Sequence, residues 1–374
     1  MFFIMPDSFS HSNVTKYPLS LGEGWGGAFF LSLGEGRGEV LGEVIFRTIL
    51  FKKPARTSRG SYTEHRMLLV KVTDEKGNVG VGECAPLPDL SCDRHCYDDI
   101  EAVRKLLGNK SLEELRNYPA LLFALETAIA ACQKDPTLYD TPFARGEVGI
   151  PFNGLVWMDS YENMLRQVEE KIAAGFKCVK LKIGAIEFEK ELEIIRIIRS
   201  HYSQRDIELR VDANGAFNSN NAMQHLEALA RYDLHSIEQP IRESWDAMAK
   251  LCRETPLPIA LDEELIGVNR PEEKERLLDT IMPHYIVLKP TMHGGISGTR
   301  DWIRMSRQRG INSWITSALE SNIGLHTIAL LAASEYGPQV SFPQGLGTGQ
   351  LFVENIPMPI ESCGAEIRVK SELY

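Results

Sequence analysis

The chain has 374 residues, of which 43% are hydrophobic and 25% charged, with a formal net charge of −10. This composition is enough for a sizeable core, and the acidic balance excludes nucleic acid and anionic membrane as partners, because both demand a basic face. No apolar run reaches the roughly 18 residues of a membrane span, and seven irregularly spaced cysteines read as scattered thiols of a reducing cytoplasm.

In chain order, the opening stands apart from the rest. LSLGEGWGG from Leu19 and LSLGEGRGE from Leu31 repeat at a twelve-residue step, and eight of the 30 glycines lie between Gly22 and Gly42. Such a segment loses much entropy on ordering and has little apolar surface to offset it. Residues 1–43 are therefore expected to be a disordered extension, with folding beginning near Val44.

Residues 44–149 have the texture of an α+β capping domain. VIFRTILF, RMLLVKVTD and NVGVGECAP alternate like antiparallel strands, with DEKGN as a hairpin turn. Helical patterns follow at Asp98–Leu107 and Pro119–Gln133. Two loops, PARTSRG (Pro54 to Gly60) and GECAPLPDLS (Gly82 to Ser91), have the Pro, Gly and Ser content of segments that cover a mouth. Ser58 and Arg59 are candidate substrate contacts.

From 150 to 349 a strand–helix rhythm takes over. The strand candidates are IPFNGLV, CVKLKIG, IELRVDA, SIEQ, PIALD, YIVLK, INSWIT and QVSFPQG. Helical spacing separates them, for example at Tyr161–Ala174, Glu187–Ser200 and Asn322–Ser334. Eight parallel βα units predict a (β/α)8-type barrel. An open doubly wound sheet would call for a Gly-x-Gly-x-x-Gly turn after its first strand, and the sequence has none. Residues 350–374 return to a mixed pattern and are expected to pack back on the capping domain.

The chemistry gathers at strand ends. Alternation puts Lys180 and Lys182 on one face of their strand, and Arg210, Asp212 and Asn214 on one face of the next. Asp212, Glu238 and Asp262 close three successive strands, followed by Lys289. Ammonium groups inside a barrel need anions to offset their desolvation. Three crowded carboxylates in turn call for protons or a cation. Oxygen ligands with no His or Cys among them suit a hard ion, Mg²⁺ before Ca²⁺ or Zn²⁺. A divalent ion flanked by lysines suits removal of a proton next to a substrate carboxylate. A second ammonium beside the base lowers its pKa toward the working range, a reason for Lys-x-Lys. An internal salt-bridge net without chemistry is the bland alternative. The glycines Gly345 and Gly347 of GLGTG offer backbone N–H groups to an anion. Ser317, Glu320 and Ser321 are placed to line the pocket. His293 reads as a loop histidine.

VKLKIG, LRVDANGAF, SIEQPI, ALDEEL, VLKP and SALES resemble the enolase superfamily, in its muconate-lactonising-enzyme subgroup. PARTSRG, GECAPLP and FPQGLGTGQ are most similar to the o-succinylbenzoate synthases. The resemblance covers the chain from Val44 onward and implies a modified, enolase-like barrel. It implies Mg²⁺ (Mn²⁺ as a substitute) on Asp212, Glu238 and Asp262, with Lys182 as the proton-transfer residue and Lys289 stabilising an enediolate. Lys180, Arg210, Asn214 and Glu263 would orient these groups. The implied reaction is a syn dehydration of a small cyclic carboxylate in menaquinone biosynthesis.

The alternatives are 1,1-proton transfer, as in N-acylamino-acid racemases and dipeptide epimerases, and a non-catalytic barrel. Dipeptide epimerases carry an acidic Asp-x-Asp after the eighth strand, where this chain reads QGLGTGQ. The complete lysine and carboxylate set argues against a non-catalytic barrel.

Overall fold

The computed structural model describes residues 28–32, 39–56, 60–95 and 97–370. Strands β1 (Ala28–Ser32), β2 (Glu39–Arg56), β3 (Ser61–Asp74) and β4 (Val79–Cys84) form an antiparallel sheet in chain order. The β3–β4 turn forms because the Asp74 carboxylate accepts the N–H groups of Lys76 and Asn78 at 2.9 and 2.8 Å. Helices α1 (Ile100–Asn109) and α2 (Pro119–Gln133) cover one face, burying Leu68, Val70 and Val72 against Leu121, Leu125 and Ala128. The α2 backbone lies directly on β4, where a Cβ at Gly80 or Gly82 would fall 1.9 or 1.8 Å from a carbonyl oxygen of α2.

The expected disorder of residues 1–43 does not hold for the described part of that segment. Residues 28–32 pair with 39–43, and Phe29, Leu31 and Val40 enter the core beside Val103 and Leu107. The glycine count hid a short apolar run, Phe29 to Leu31, that packs against α1. Residues 1–27 and 33–38 lie outside the described residues.

After a short α3 (Pro136–Tyr139) and β5 (Ile150–Pro151), the barrel begins. Its units are β6 (Gly154–Val156), α4 (Tyr161–Ala173), β7 (Cys178–Lys182), α5 (Phe188–His201), β8 (Glu208–Asp212), α6 (Ala222–Ala230), β9 (Ser236–Glu238) and α7 (Trp245–Glu254). There follow β10 (Ile259–Leu261), α8 (Pro271–Ile281), β11 (Tyr285–Leu288), α9 (Gly295–Gln308), β12 (Asn312–Ile315) and α10 (Asn322–Tyr336). The seven strands β6 to β12 pair in chain order, and every pairing is parallel.

The eighth expected strand is reduced to Gln344 and Gly345. Gln344 bridges Phe152 and Gly345 bridges Thr316, which closes the curled sheet. The fold is thus the expected barrel with a capping domain, its last βα unit cut to a two-residue bridge. Among the described residues no helix is long and apolar enough to cross a membrane.

Two acidic side chains of the capping domain dock on the barrel. Glu83 of β4 is completely buried and accepts the N–H groups of Ser321 and Gly324 at 2.9 Å each, at the start of α10. Its other contacts are the Ser321 hydroxyl at 2.5 Å and the His65 ring at 2.8 Å. Glu126 of α2 accepts the N–H groups of Ile296 and Ser297 at 2.6 and 3.3 Å, in the first turn of α9. Each carboxylate satisfies N–H groups that a helix start leaves free and meets the positive end of its dipole.

The C-terminal stretch splits, contrary to the single return expected for 350–374. Phe352 bridges Phe51 of β2 and stacks on its ring at 4.6 Å, so this part does reach the capping domain. Beyond it, β13 (Ile360–Cys363) and β14 (Glu366–Val369) form a small sheet with β5 instead.

Removing residues 1–42 strips Phe29, Leu31 and Val40 from the core and is expected to destabilise the fold by about 2 kcal/mol or more. Thermal unfolding checks this, and an unchanged melting temperature contradicts it. Burial pushes the Glu126 carboxyl up to about 7 from its ordinary 4.5, so the folded state favours its protonated form. Its stability contribution is whole below 4.5 and fades as pH rises through about 7. Glu126→Gln keeps a carbonyl acceptor without the charge. The variant should flatten the fall in melting temperature between about pH 5 and pH 8, and an unaltered pH profile contradicts the assignment.

Candidate active site

The register of the barrel strands builds the site. Lys182 pairs with Asp212, and Asp212 with Glu238. Asp262 follows β10 and Lys289 follows β11, so all five reach the same end of the sheet and line one cavity. Three strands, β8, β9 and β10, separate the strand bearing Lys182 from the one preceding Lys289. The two amines therefore stand on different walls.

Lysine and acid interlock. The Lys180 ammonium donates to both Glu238 oxygens at 2.7 Å and lies 2.9 Å from Asp212 Oδ2. Lys182 Nζ donates to Asp212 Oδ2 at 3.1 Å and to Asn214 Oδ1 at 2.7 Å. Asn214 in turn donates to Glu263 Oε1 at 3.0 Å, and Lys289 donates to Asp262 Oδ2. Asn214 holds this place in a left-handed turn, φ 46°, closed by its own N–H on Asp212 Oδ1 at 3.0 Å. Asparagine is among the side chains that tolerate that region best.

Burial pushes Asp212 up, but Lys180 and Lys182 more than offset it and hold the carboxyl well below its ordinary range. Burial likewise opposes the Lys180 and Lys289 ammonium forms, yet the surrounding carboxylates hold both lysines charged. Glu238 goes the other way. Burial first, then the Asp212 charge, pushes it up to about 8 despite Lys180. Burial and the neighbouring Asp262 also raise Glu263.

Four acids (Asp212, Glu238, Asp262, Glu263) thus share the site with three lysines. Ionising all four would leave negative charge uncompensated out of water, and Glu238 and Glu263 are pushed toward their protonated forms instead. The buried Asp262 Oδ1 and Glu263 Oε2 have no hydrogen-bond partner. This all-oxygen donor set with surplus acid fits a hard divalent cation. As arranged, the acid oxygens turn onto the lysines, and among the described residues no three His, Cys, Asp or Glu side chains form a ready metal cluster.

The remaining expected site residues divide. Asn214 and Glu263 border the cavity. Arg210 does not orient the acids. It points into the barrel interior below them, where it pairs with Glu208 at 2.7 Å, donates to Pro343 O at 3.1 Å and stacks over Trp314. Ser317, Gly345 and Gly347 line the cavity, with the Ser317 hydroxyl donating to Gly345 O at 3.0 Å.

The Gly345 N–H is spent on Ile315 O at 2.9 Å, so it is no anion donor. This glycine is where the barrel closes, and a Cβ there would meet Thr316 Oγ1 at 2.1 Å. Glu320 and Ser321 are buried behind the wall instead of lining it, with Glu320 accepting from Thr291 Oγ1 at 2.6 Å. Ser58 and Arg59 lie outside the described residues.

Sequence reasoning missed Gln239. Fully buried at φ 41°, it accepts the N–H groups of Asp262 and Glu264 at 3.1 and 3.4 Å and so fixes the acidic loop. Its place directly after Glu238 in IEQP was the available signal. The roof is apolar, with Leu87 and Leu90 of the capping domain meeting Met292, Leu319 and Leu351 over the cavity.

The profile of the family described as Enolase C-terminal domain-like matches residues 163–360. The o-succinylbenzoate synthase of Desulfotalea psychrophila is 42% identical over 348 residues, 83% of this chain and 93% of that protein. The L-Ala-D/L-Glu epimerase of Bacillus subtilis is 26% identical across 76% of this chain and 81% of its own. Among solved structures, MenC from Desulfotalea psychrophila superposes with a TM-score of 0.75 at 36% identity, covering 92% of this chain and 100% of that one. The muconate lactonizing enzyme of Pseudomonas fluorescens reaches 0.71 at 18% identity over 89% of this chain and 95% of its own, a likeness of fold alone. The chain therefore belongs to the enolase superfamily and, within it, to the family of the o-succinylbenzoate synthases.

Proposed function

We propose that the chain is a carbon–oxygen lyase that dehydrates 2-succinyl-6-hydroxy-2,4-cyclohexadiene-1-carboxylate to o-succinylbenzoate, a step of menaquinone biosynthesis. The observation that carries this reading is the pairing of Lys182 and Lys289 on separate walls of one cavity, with surplus carboxylate between them. Kinship with a synthase of that name supports it. The partner is a small carboxylate, not nucleic acid or membrane, and the setting is the cytoplasm.

Asp212, Glu238 and Asp262 would hold Mg²⁺, or Mn²⁺ in its place. When bound, the ion supplies positive charge to the substrate carboxylate and so acidifies the neighbouring C–H. The amine of Lys182 takes that proton, and the freed electron pair forms the new ring double bond as the C–O bond on the same face breaks. The departing hydroxide takes the proton back from Lys182 and leaves as water, so a single lysine serves both transfers. Lys289, kept charged by Asp262, faces the negative charge that develops on the substrate carboxylate. The apolar roof of Leu87, Leu90, Met292 and Leu319 keeps bulk water from that charge.

The same two walls also favour a second reading, 1,1-proton transfer on N-acyl amino acids, with Lys182 and Lys289 acting from opposite faces. A dipeptide substrate fits less well, because residues 344–350 bring no acid to its ammonium group.

Lys182→Ala is expected to lower kcat by about 10³-fold or more, the upper part of the range for a placed proton-transfer group. Near-full turnover by this variant would remove its role. In a panel assay the cyclohexadiene acid should be consumed far faster than N-acyl amino acids are racemised, with L,L-dipeptides inert. The reverse order would hand the site to the racemase reading.

A further inference from the structure

The turn that follows β11 carries a group that the proposed reaction does not use. His293 is completely buried and stands outside the cavity lining. Its Nδ1 accepts the backbone N–H of Lys289 at 3.0 Å. Its own backbone N–H donates to the Lys289 carbonyl at 2.9 Å, and the N–H of Met292 reaches the same oxygen at 2.8 Å. Lys289 is therefore gripped at both backbone polar groups by its own turn.

The grip matters because β11 ends at Leu288. One residue past the ladder, the Lys289 N–H has left strand pairing, and a buried donor without an acceptor is strongly unfavourable. The acceptor supplied is an imidazole nitrogen, which requires the neutral ring with its proton on Nε2. That Nε2 has no hydrogen-bond partner among the described residues, so the ring gives up one bond to hold the Lys289 amide. Burial, against the pull of Asp262, drives the His293 imidazole down to about 3, so the neutral form persists across the working range. The titratable and charged groups that act on the ring are Asp262, Lys289 and Lys274.

We infer that His293 is a positioning residue for Lys289, whose Nδ1 fixes the root of the lysine while Asp262 fixes its tip. Held at both ends, the ammonium keeps its place across the cavity from Lys182. The contact stands on the geometry alone. Its kinetic consequence rests on the reaction proposed above.

Three substitutions separate this role from simple filling of space. His293→Asn sets an acceptor oxygen where Nδ1 stands, His293→Gln sets one nearer the place of Nε2, and His293→Leu has none. Two readouts are taken on each full-length protein: kcat and KM with the cyclohexadiene acid, and hydrogen exchange at the Lys289 amide. Leu and Gln should lower kcat by about 10- to 100-fold with KM shifted less than about threefold, as expected when a reacting group is misplaced. Both should also speed exchange at Lys289. Asn should stay within about threefold of wild-type kcat and keep the amide protected.

Equal kcat in all three variants, or losses that follow melting temperature with Leu the best tolerated, would overturn the inference. If Leu fails to fold, the contrast between Asn and Gln decides. If the wild-type enzyme does not consume the cyclohexadiene acid, the reaction falls, and amide exchange still judges the hold on Lys289.

Discussion

Seven ionisable side chains drawn out of water at one end of a barrel set the terms for the rest of this molecule. Desolvating charge on that scale is costly. Lys180, Lys182 and Lys289 offset part of the cost by bonding to Asp212, Glu238 and Asp262. They do not offset all of it, and the remainder shows in Glu238, pushed up to about 8. A stable core gains nothing from such an imbalance, whereas a site that binds a cation and handles a proton depends on it.

Much of the surrounding architecture serves to hold these groups still. Asn214, two residues past Asp212, and Gln239, directly after Glu238, take left-handed backbone positions. The first links Lys182 to Glu263, and the second ties the Asp262 loop to the end of β9. At larger scale, Glu83 and Glu126 set the capping domain on the first turns of α10 and α9. Those helices follow the strands that deliver Ser317 and Lys289. The domain carrying the Leu87–Leu90 roof is thus referenced to the same elements that place Ser317 and Lys289 at the cavity.

What the sequence revealed, and what it concealed, divides by range of interaction. Strands β7 to β11 were legible because short β-rich runs ended in charged residues at a regular interval, a pattern no apolar core would produce. Helix α2 was legible to the residue, since Pro119 starts it and the stretch to Gln133 is rich in Ala and Leu. The capping contacts were not legible, because Glu83 meets Ser321 across 238 positions and Glu126 meets Ile296 across 170. Strand β1 was missed because composition outweighed a short apolar run, Phe29 to Leu31, whose partner helix lies far along the chain. Arg210 was misplaced because alternation gives the face of a strand and says nothing of depth along the barrel. The eighth strand was overdrawn at its start, since β-type residues such as Val340 and Phe342 precede the two that pair, Gln344 and Gly345.

The central claim is that the excess carboxylate at this rim exists to take one divalent cation among Asp212, Glu238 and Asp262. Titration of the purified protein with Mn²⁺, followed by the electron paramagnetic resonance signal of the free ion, tests it without reference to turnover. The account predicts one tight site per chain, weakened severely by Asp212→Asn, Glu238→Gln or Asp262→Asn and competed away by Mg²⁺. A wild-type protein that leaves Mn²⁺ free, or binds it equally well after all three acids are replaced, would contradict it.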